Sequence, residues 1–242
     1  MKKSIAMFLL GATLAFGLAL SASIIANAAV KVTKKDMIRV KGSAVKNVRS
    51  DFGTWCGSIT VTDISTPQAY TRLNQHKQIV MQYFKTAGFQ ESDVRWDSIE
   101  RETNFRRNDK GVVTDTVLSY TLTQSFQISS PKVDLLDALS RNATSLLRQG
   151  IYLRSSTPNF IVTNLDSYKM ELLQEATKNG YERAKILAGN TGGKVGSLLS
   201  ASQGIFQVLA PGGSDISDYG TYDKTTVMKE VKAVVTLEFK VQ

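Results

Sequence analysis

The end of the chain carries its strictest periodicity. Every second residue is apolar from position 231 onward: Val231, Ala233, Val235, Leu237, Phe239 and Val241. The residues between them include Lys232, Thr236, Glu238 and Lys240. Successive side chains of a β-strand point to opposite faces of a sheet. The pattern therefore predicts a final strand with one buried face, which must be covered by another layer of the fold.

Helix-start signals divide the preceding sequence into regular pieces. Thr66-Pro67 and Ser130-Pro131 each place a capping hydroxyl before a proline, and proline is favoured at the first helical position. Asn164 or Asp166 can cap a third helix. Pairs of predicted strands lie before, between and after these helices. The approximate order ββ-α-ββ-α-ββ-α-ββ predicts an α+β fold with antiparallel-rich sheets and about three helices packed on them.

Apolar stripes and glycines predict how these elements pack. The expected buried helix faces are Ala69, Leu73, Val80 and Phe84; Leu135, Leu136, Leu139, Ala143, Leu146 and Leu147; and Tyr168, Leu172, Leu173, Ala176, Ala184 and Leu187. Residues 94–105 and 117–128 form a predicted long hairpin, with turn residues at 108–111. Gly42, beside the first strand, indicates a bulge or the close approach of another backbone.

The N-terminal stretch predicts export. Lys2 and Lys3 precede a run from Ser4 to Val30 that has no charged side chain, and Ala26-Asn27-Ala28 forms an A-x-A cleavage pattern. Residues 1–28 are therefore interpreted as a signal peptide or a retained membrane anchor, since the run is long enough for either. The cleavage pattern favours the signal peptide.

The charges that flank this run oppose both interpretations, because Lys and Arg residues beside an apolar segment favour the cytoplasmic side of the membrane. More cations follow the run than precede it. Those that follow are Lys31, Lys34, Lys35, Arg39, Lys41, Lys46 and Arg49. Export remains the prediction because the order of basic, apolar and small-residue regions is complete. We expect a basic lead at 29–36 and an α+β domain at 37–242. The expected location is the periplasm, or a periplasm-facing position anchored to the inner membrane through residues 4–30.

The chain is basic, with 30 Lys and Arg residues against 21 Asp and Glu residues and a formal net charge of +9. Charged residues make up only 21% of the sequence, which argues against wholesale disorder. Arg106, Arg107 and Lys110 are expected at a hairpin tip beside Phe105, but no recognised nucleic-acid motif surrounds them. We therefore expect no nucleic-acid partner. If residues 4–30 stay in a membrane, the cations that follow them would lie beside lipid headgroups.

The sequence predicts no catalytic, cofactor-binding or metal site. His76 is the one histidine, which leaves a zinc site or a Ser-His-Asp triad undersupplied. Gly189–Lys194 departs from a phosphate-binding loop at two positions and follows a helix instead of preceding one, so it predicts a turn. A solvated strand face and turn are expected to carry the acidic residues Glu91, Asp93, Asp97, Glu100 and Glu102.

Two further features leave alternatives open. Cys56 is the single cysteine, and we predict a small buried residue beside Trp55, with an intermolecular disulfide as the alternative. Residues 210–224 are rich in Pro, Gly, Ser, Asp and Tyr and predict a long surface loop. Within it, Asp218–Asp223 either contacts a neighbouring subunit or forms a loop without a fixed partner.

Four features follow one another in a defined order. They are Ile38–Gly42 with Asp51 after it; the long strand Val117–Phe126 before a Leu-rich helix; Glu175–Asn179 with Arg183-Ala184, Leu187-Ala188 and then Lys194-Val195-Gly196; and the terminal strand Val231–Val241. This order resembles the SIMPL-domain family over residues 37–242, and most closely its members with an N-terminal hydrophobic segment. The Trp55-Cys56 pair departs from the family pattern.

The resemblance implies a periplasmic or envelope-associated protein, often oligomeric and linked to envelope integrity and stress tolerance. It supplies no catalytic residues. The function predicted here is therefore that of a non-enzymatic, exported envelope protein that forms a homo-oligomer, its ligand being unknown. A periplasmic small-molecule-binding module or an unrecognised enzyme is one alternative, and a membrane-tethered adaptor is the other.

Overall fold

The computed structural model describes residues 11, 13–26, 37–213 and 219–242. Its helices are α1 (residues 13–26), α2 (Thr66–Thr86), α3 (Val133–Asn142) and α4 (Leu165–Asn190), with 3₁₀ segments at Glu91–Asp93 and Ala143–Gln149. Its strands are β1 (Met37–Arg49), β2 (Phe52–Asp63), β3 (Val94–Arg107), β4 (Val113–Ser130), β5 (Tyr152–Ser155), β6 (Asn159–Ile161), β7 (Val195–Gln203), β8 (Gln207–Leu209) and β9 (Met228–Val241).

The predicted α+β class is confirmed, and β3 and β4 form the predicted long hairpin. Two elements were not predicted. The helix α1 lies in the stretch interpreted as a signal or anchor, and a short extra strand, β8, precedes the last strand. The second and third residues of the cleavage pattern, 27 and 28, and the basic lead at 29–36 lie outside the described residues. No described helix combines the length and the apolar character needed to cross a membrane.

The chain divides into two compact units. The first unit comprises residues 1–44, 173–204 and 234–242, and the second comprises residues 45–172 and 205–233. The elements β1, α4 and β9 contribute residues to both. One sheet has the strand order β1-β9-β7, with β8 also paired to β9, and the other has the order β3-β4-β2-β5, with β6 also paired to β2.

The second unit is built on the sheet of β3, β4, β2 and β5. The inward residues of its central strands β2 and β4 alternate with polar ones, as period-two side-chain geometry requires. Trp55 packs edge-on against Phe126 and Phe84, at ring-centroid distances of 5.2 and 5.9 Å. The helices α2 and α3 cover this face of the sheet with Leu73, Val80, Phe84, Leu136 and Leu139, all buried in one core cluster.

In the first unit, α4 approaches the backbone of β1 very closely. Small residues recur every fourth position on its buried side, at Ala176, Gly180, Ala184 and Ala188. A Cβ atom on Gly42 would lie 2.1 Å from the carbonyl oxygen of Ala176 and 2.5 Å from the amide nitrogen of Gly180. Of the two alternatives predicted for Gly42, a bulge or a close backbone approach, the close approach is confirmed, because only a residue without a side chain fits there.

The predicted helix faces are confirmed with three exceptions. Leu135, Leu147 and Leu187 are exposed, whereas their chain neighbours Leu136, Leu146 and Ala188 are buried. Adjacent residues on a helix point about 100° apart, so only one member of each pair can face the core. The change from α-helix to 3₁₀-helix after Asn142 also shifts the period of the second stripe.

Candidate interaction surfaces

The first candidate surface is the free edge of β7 in the first unit. β7 ends the strand order β1-β9-β7, so one of its sides faces no other described strand. Its sequence, Val-Gly-Ser-Leu-Leu-Ser-Ala-Ser-Gln, contains no charged residue and no proline. The last seven residues are exposed, and Leu198 and Leu199 are 52% and 55% exposed. This strand therefore presents unpaired backbone groups without the charges that usually protect a sheet edge.

Irregular pairing limits the usable part of this edge. Register shifts interrupt the β7–β9 ladder on both sides of Leu198. From Ser200 to Gln203 the pairing is regular, and each residue opposes one residue between Glu238 and Val235. Bulges twist an edge away from a partner strand. The four residues Ser200–Gln203 are consequently the segment best placed to accept another strand.

The other strands at the ends of the two described sheet orders carry charges. β1 contains Arg39, Lys41, Lys46 and Arg49, and the four-residue β5 contains Arg154. β3 is the most charged, with Arg95, Asp97, Glu100, Arg101, Glu102, Arg106 and Arg107. Charged side chains and short length both oppose edge-to-edge pairing. Among these end strands, β7 is therefore the one that lacks such protection.

The second candidate surface is a polar groove on the outer face of the five-stranded sheet. Alternation along β2 points Trp55, Ile59 and Val61 into the core and Cys56 and Ser58 outward. The open groove above them has a volume of about 440 Å³. Its other lining residues are Gly57, Asp97, Ser125, Phe126, Gln127, Arg154, Ser155 and Ser156. A guanidinium, a carboxylate, hydroxyls and a thiol thus border one depression.

Cys56 corrects the sequence prediction, because its side chain is exposed and not buried. Since Trp55 is fully buried, the next residue on the strand must point to the opposite face. The carbonyl oxygen of Cys56 accepts hydrogen bonds from the amide (3.0 Å) and the hydroxyl (2.6 Å) of Ser156. These two hydrogen bonds fix the backbone of β2 at the residue that carries the exposed thiol.

The single histidine cannot serve this groove. His76 lies on α2, which packs on the inner face of the sheet through Leu73 and Val80, whereas Cys56 lies on the outer face. The Nδ1 atom of His76 is buried without a hydrogen-bond partner. Burial, with a smaller effect of the nearby Arg72 charge, lowers the pKa of His76. The chain therefore separates its thiol from the side chain that would normally activate it.

A buried lysine was not predicted from the sequence. The Lys229 side chain has 0% exposure, and its ammonium group donates to the Asp223 carbonyl (2.6 Å), to a carboxylate oxygen of Asp223 (3.1 Å) and to the Thr226 carbonyl (2.8 Å). All three of its donors are thus used. Lys229 is in phase with the inward residues Val231 and Ala233, so extending that alternation by one step would have indicated its burial.

The Asp223 carboxylate receives further hydrogen bonds. The amide and hydroxyl groups of Thr225 and Thr226 donate to it. Burial acts to raise the pKa of Asp223, but these bonds and the one from Lys229 outweigh burial and hold the pKa well below its usual value. Burial lowers the pKa of Lys229, and Asp223 offsets part of that effect. The cluster is a structural ion pair in which internal hydrogen bonds use every donor of Lys229.

The predicted loop at 210–224 is partly fixed by the same chain. Val208 donates to the Thr221 carbonyl (2.7 Å) and accepts from the Asp223 amide (2.8 Å). The hydroxyl of Tyr222 accepts a hydrogen bond from the Val162 amide (3.2 Å). Tyr219 is exposed, and residues 214–218, including Asp218, lie outside the described part. Of the two alternatives for Asp218–Asp223, a loop without a fixed partner is therefore wrong for residues 221–223, and contact with a neighbouring subunit stays a prediction.

The remaining sequence candidates do not form a site. Gly189 and Asn190 end α4, and the predicted turn follows them at Thr191 and Gly192, with the Gly193 amide bonded to the Ala188 carbonyl. Arg106, Arg107 and Lys110 are exposed at the end of the β3–β4 hairpin. The acidic residues of β3 are exposed, as predicted, and among the described residues no cluster of three or more His, Cys, Asp and Glu side chains could hold a metal ion.

Comparisons with known proteins identify a family and little else. The family model described as SIMPL, protein of unknown function (DUF541), matches residues 38–239. A putative amidohydrolase/peptidase from Burkholderia cenocepacia is 17% identical, with a TM-score of 0.24, over 47% of this chain and 29% of that chain. An uncharacterized conserved protein from Listeria innocua is 9% identical, with a TM-score of 0.20, over 82% of this chain and 92% of that chain. With TM-scores this low, neither structural similarity bears on function. No curated protein matches the chain.

Proposed function

The chain belongs to the SIMPL family, whose function is unknown, and from this premise we propose that it is a non-enzymatic, exported protein of the cell envelope that associates with further copies of itself. In this proposal it contributes to envelope integrity or stress tolerance through an assembly and not through a reaction. The observation that carries the proposal is the uncharged, exposed edge of β7.

Self-pairing of β7 is physically consistent with its sequence. Two copies that meet edge to edge in antiparallel orientation place the same residues opposite one another around a twofold axis. Ser200–Gln203 would exchange backbone hydrogen bonds, and no like charges would face each other because the segment carries none. The exposed Leu198 and Leu199 would add apolar contact. A second copy is therefore a suitable occupant of this edge.

The separation of Cys56 from His76 supports a non-enzymatic role. The two lie against opposite faces of the five-stranded sheet, so a Cys-His nucleophile cannot form within one copy. The one strongly coupled acid–base pair described above, Asp223 with Lys229, is saturated with internal hydrogen bonds. Neither arrangement places an accessible nucleophile beside a general base.

The export part of the proposal rests on residues 1–28, and a fractionation experiment tests it. The chain would be purified separately from periplasm and from membranes, and each sample measured by intact and native mass spectrometry. We expect a periplasmic species that begins near Ala29 and has the mass of a defined oligomer. A monomer that keeps residues 1–28 and stays with the membrane would contradict the proposal and favour the membrane-tethered adaptor.

A second candidate function is the binding of a small polar molecule in the groove beside Cys56. The groove is lined by both the Arg154 guanidinium and the Asp97 carboxylate, which favours a zwitterion such as a free amino acid. The Asp97 carboxylate also forms an exposed ion pair with Arg95 at 3.2 Å, which a bound ammonium group would share. The thermal midpoint of unfolding would be measured with and without amino acids, for the natural chain and for Arg154→Ala. Stabilisation that Arg154→Ala removes, and that the exposed control Arg148→Ala keeps, would establish the binding module; no stabilisation would exclude it for this ligand class.

A further inference from the structure

A groove in the first unit combines positive charge with exposed aliphatic side chains. It lies between β1 and α4 and has a volume of about 470 Å³. Its lining consists of three cations and three aliphatic residues: Arg39, Lys41, Arg183, Val40, Ile186 and Leu187. Ile186 and Leu187 are 62% and 52% exposed, which is unusual for branched aliphatics side by side on a helix whose opposite side is packed.

The charges of this groove are largely uncompensated. Arg39 forms an ion pair with Glu238 at 3.4 Å, and 70% of the arginine side chain remains exposed. Lys41 and Arg183 form no ion pair with any described residue. Among the described residues that line the groove there is no carboxylate. Its electrostatic complement is therefore an anionic partner.

The mixture of groups narrows the partner further. A free inorganic anion would use the cations but leave Ile186 and Leu187 in water. A second copy of this chain would bring its own formal net charge of +9 toward the three cations. A bilayer that contains anionic lipid offers phosphate groups at the depth of the cations and an acyl boundary just below, where aliphatic side chains are favourably buried.

The position of the groove in the chain agrees with such a partner. The uncharged run ends at Val30, and Arg39 follows nine residues later on β1. A fully extended chain covers at most about 3.6 Å per residue, so Arg39 lies within roughly 32 Å of the end of that run. If the run is held in a membrane, the groove cannot leave the neighbourhood of the lipid surface.

We propose that the groove between β1 and α4 binds an anionic phospholipid surface, with Arg39, Lys41 and Arg183 on the phosphates and Ile186 and Leu187 inserted at the acyl boundary. The inference does not depend on the pairing of β7, because a monomer and an oligomer present the same groove. Failure of self-association and failure of lipid contact are therefore separate results.

The test uses the full chain reconstituted in vesicles. A polarity-sensitive fluorophore is attached at Ile186→Cys in a Cys56→Ser background, and for comparison at Thr177→Cys, an exposed position of α4 outside the groove. Vesicles of phosphatidylcholine alone are compared with equimolar phosphatidylcholine and phosphatidylglycerol. We expect a blue shift, and quenching by brominated lipid, at position 186 in the anionic vesicles but not at position 177.

Cation variants establish the mechanism. Each cation near an anionic surface changes the ratio of bound to unbound groove about fivefold, so Lys41→Gln with Arg183→Gln should lower that ratio about 30-fold. Lys185→Gln, which removes a cation paired with Glu182 outside the groove, should leave the ratio unchanged. An equal signal in the uncharged vesicles, no signal in either, or insensitivity to the double variant would each overturn the proposal.

Discussion

The ammonium group of Lys229, which has no exposed surface, donates to both the carbonyl oxygen and the carboxylate of Asp223, six residues earlier in the chain. The contact closes the turn that leads into β9 within the second unit. Because the Asp223 amide also bonds to Val208 of β8, the ion pair fixes the start of β9 beside β8. The stability of this turn therefore depends on an ion pair whose cation cannot reach water and whose carboxylate is mostly buried.

Removing one member of this pair should be costly. Asp223→Asn leaves a buried cation without its counter-charge, for which we expect a loss of about 3–5 kcal/mol in the free energy of unfolding. Lys229→Met should cost about 1–3 kcal/mol, because the Asp223 carboxylate keeps its bonds from Thr225 and Thr226. Urea denaturation measures both losses.

The control is Lys224→Met, which replaces an exposed lysine and should change the free energy of unfolding by less than about 0.5 kcal/mol. Equal effects of Lys224→Met and Lys229→Met would contradict the buried pair.

Acid should weaken the same turn. The pKa of Asp223 in the folded chain lies below its ordinary value of 3.8. The unfolded chain therefore takes up more protons, and the stability that Asp223 contributes is present above about pH 4 and is lost as the pH falls through its folded pKa. Urea denaturation at pH 7 and pH 3 should show a smaller drop for Asp223→Asn than for the natural chain. A drop of the same size in both would mean that Asp223 is not the group that titrates.

The approach of α4 to β1 predicts an asymmetry between two glycines of the first unit. Gly42→Ala would place its Cβ atom 2.1 Å from a backbone oxygen, so we expect a loss above the roughly 1–3 kcal/mol that overpacking usually costs. Gly189→Ala, near the end of α4, has open space around its Cβ position and should be neutral or stabilising by up to about 1 kcal/mol. Thermal unfolding followed by circular dichroism compares the two, and similar midpoints would refute the close approach.

The exposed thiol of Cys56 should react while the chain is folded. A chromogenic disulfide reagent should label one thiol per chain in buffer at nearly the rate seen in denaturant, because no core residue covers the sulfur. Cys56→Ser should change the free energy of unfolding by less than about 0.5 kcal/mol. Labelling that requires denaturant would restore the buried position predicted from the sequence.

Local signals in the sequence were sufficient for the order of elements from β1 to α4. The Thr66-Pro67 pair begins α2, and the start of the helix was predicted because proline is favoured in the first helical turn. The predicted capping role of Thr66 is wrong, since the N-cap residue is Ser65 and its side chain forms no capping hydrogen bond. Gly42 was predicted to mark either a bulge or a close backbone approach, but its partners Ala176 and Gly180 could not be predicted, since they lie more than a hundred residues away. A contact between residues so far apart in the chain produces no pattern in the sequence around either of them.

The errors have a different origin. Cys56 and Lys229 were misjudged or missed because their residue types suggested burial for a thiol and exposure for an ammonium, whereas strand alternation decides both positions. The free edge of β7 could not be predicted either, because a strand's neighbours are set by the whole topology and not by its own nine residues. Composition alone does show that the segment lacks charge.

The native mass of the full chain, compared with that of a variant charged at the β7 edge, tests the central claim most directly. Ser200→Lys with Ser202→Lys places like charges where two β7 strands would meet, and Thr177→Lys with Gln174→Lys adds the same charge on exposed positions of α4. The account predicts a defined oligomer for the natural chain and for the α4 variant, and a monomer for the β7 variant. A natural chain that stays monomeric at every concentration, or a β7 variant that keeps the full oligomeric mass, would contradict it.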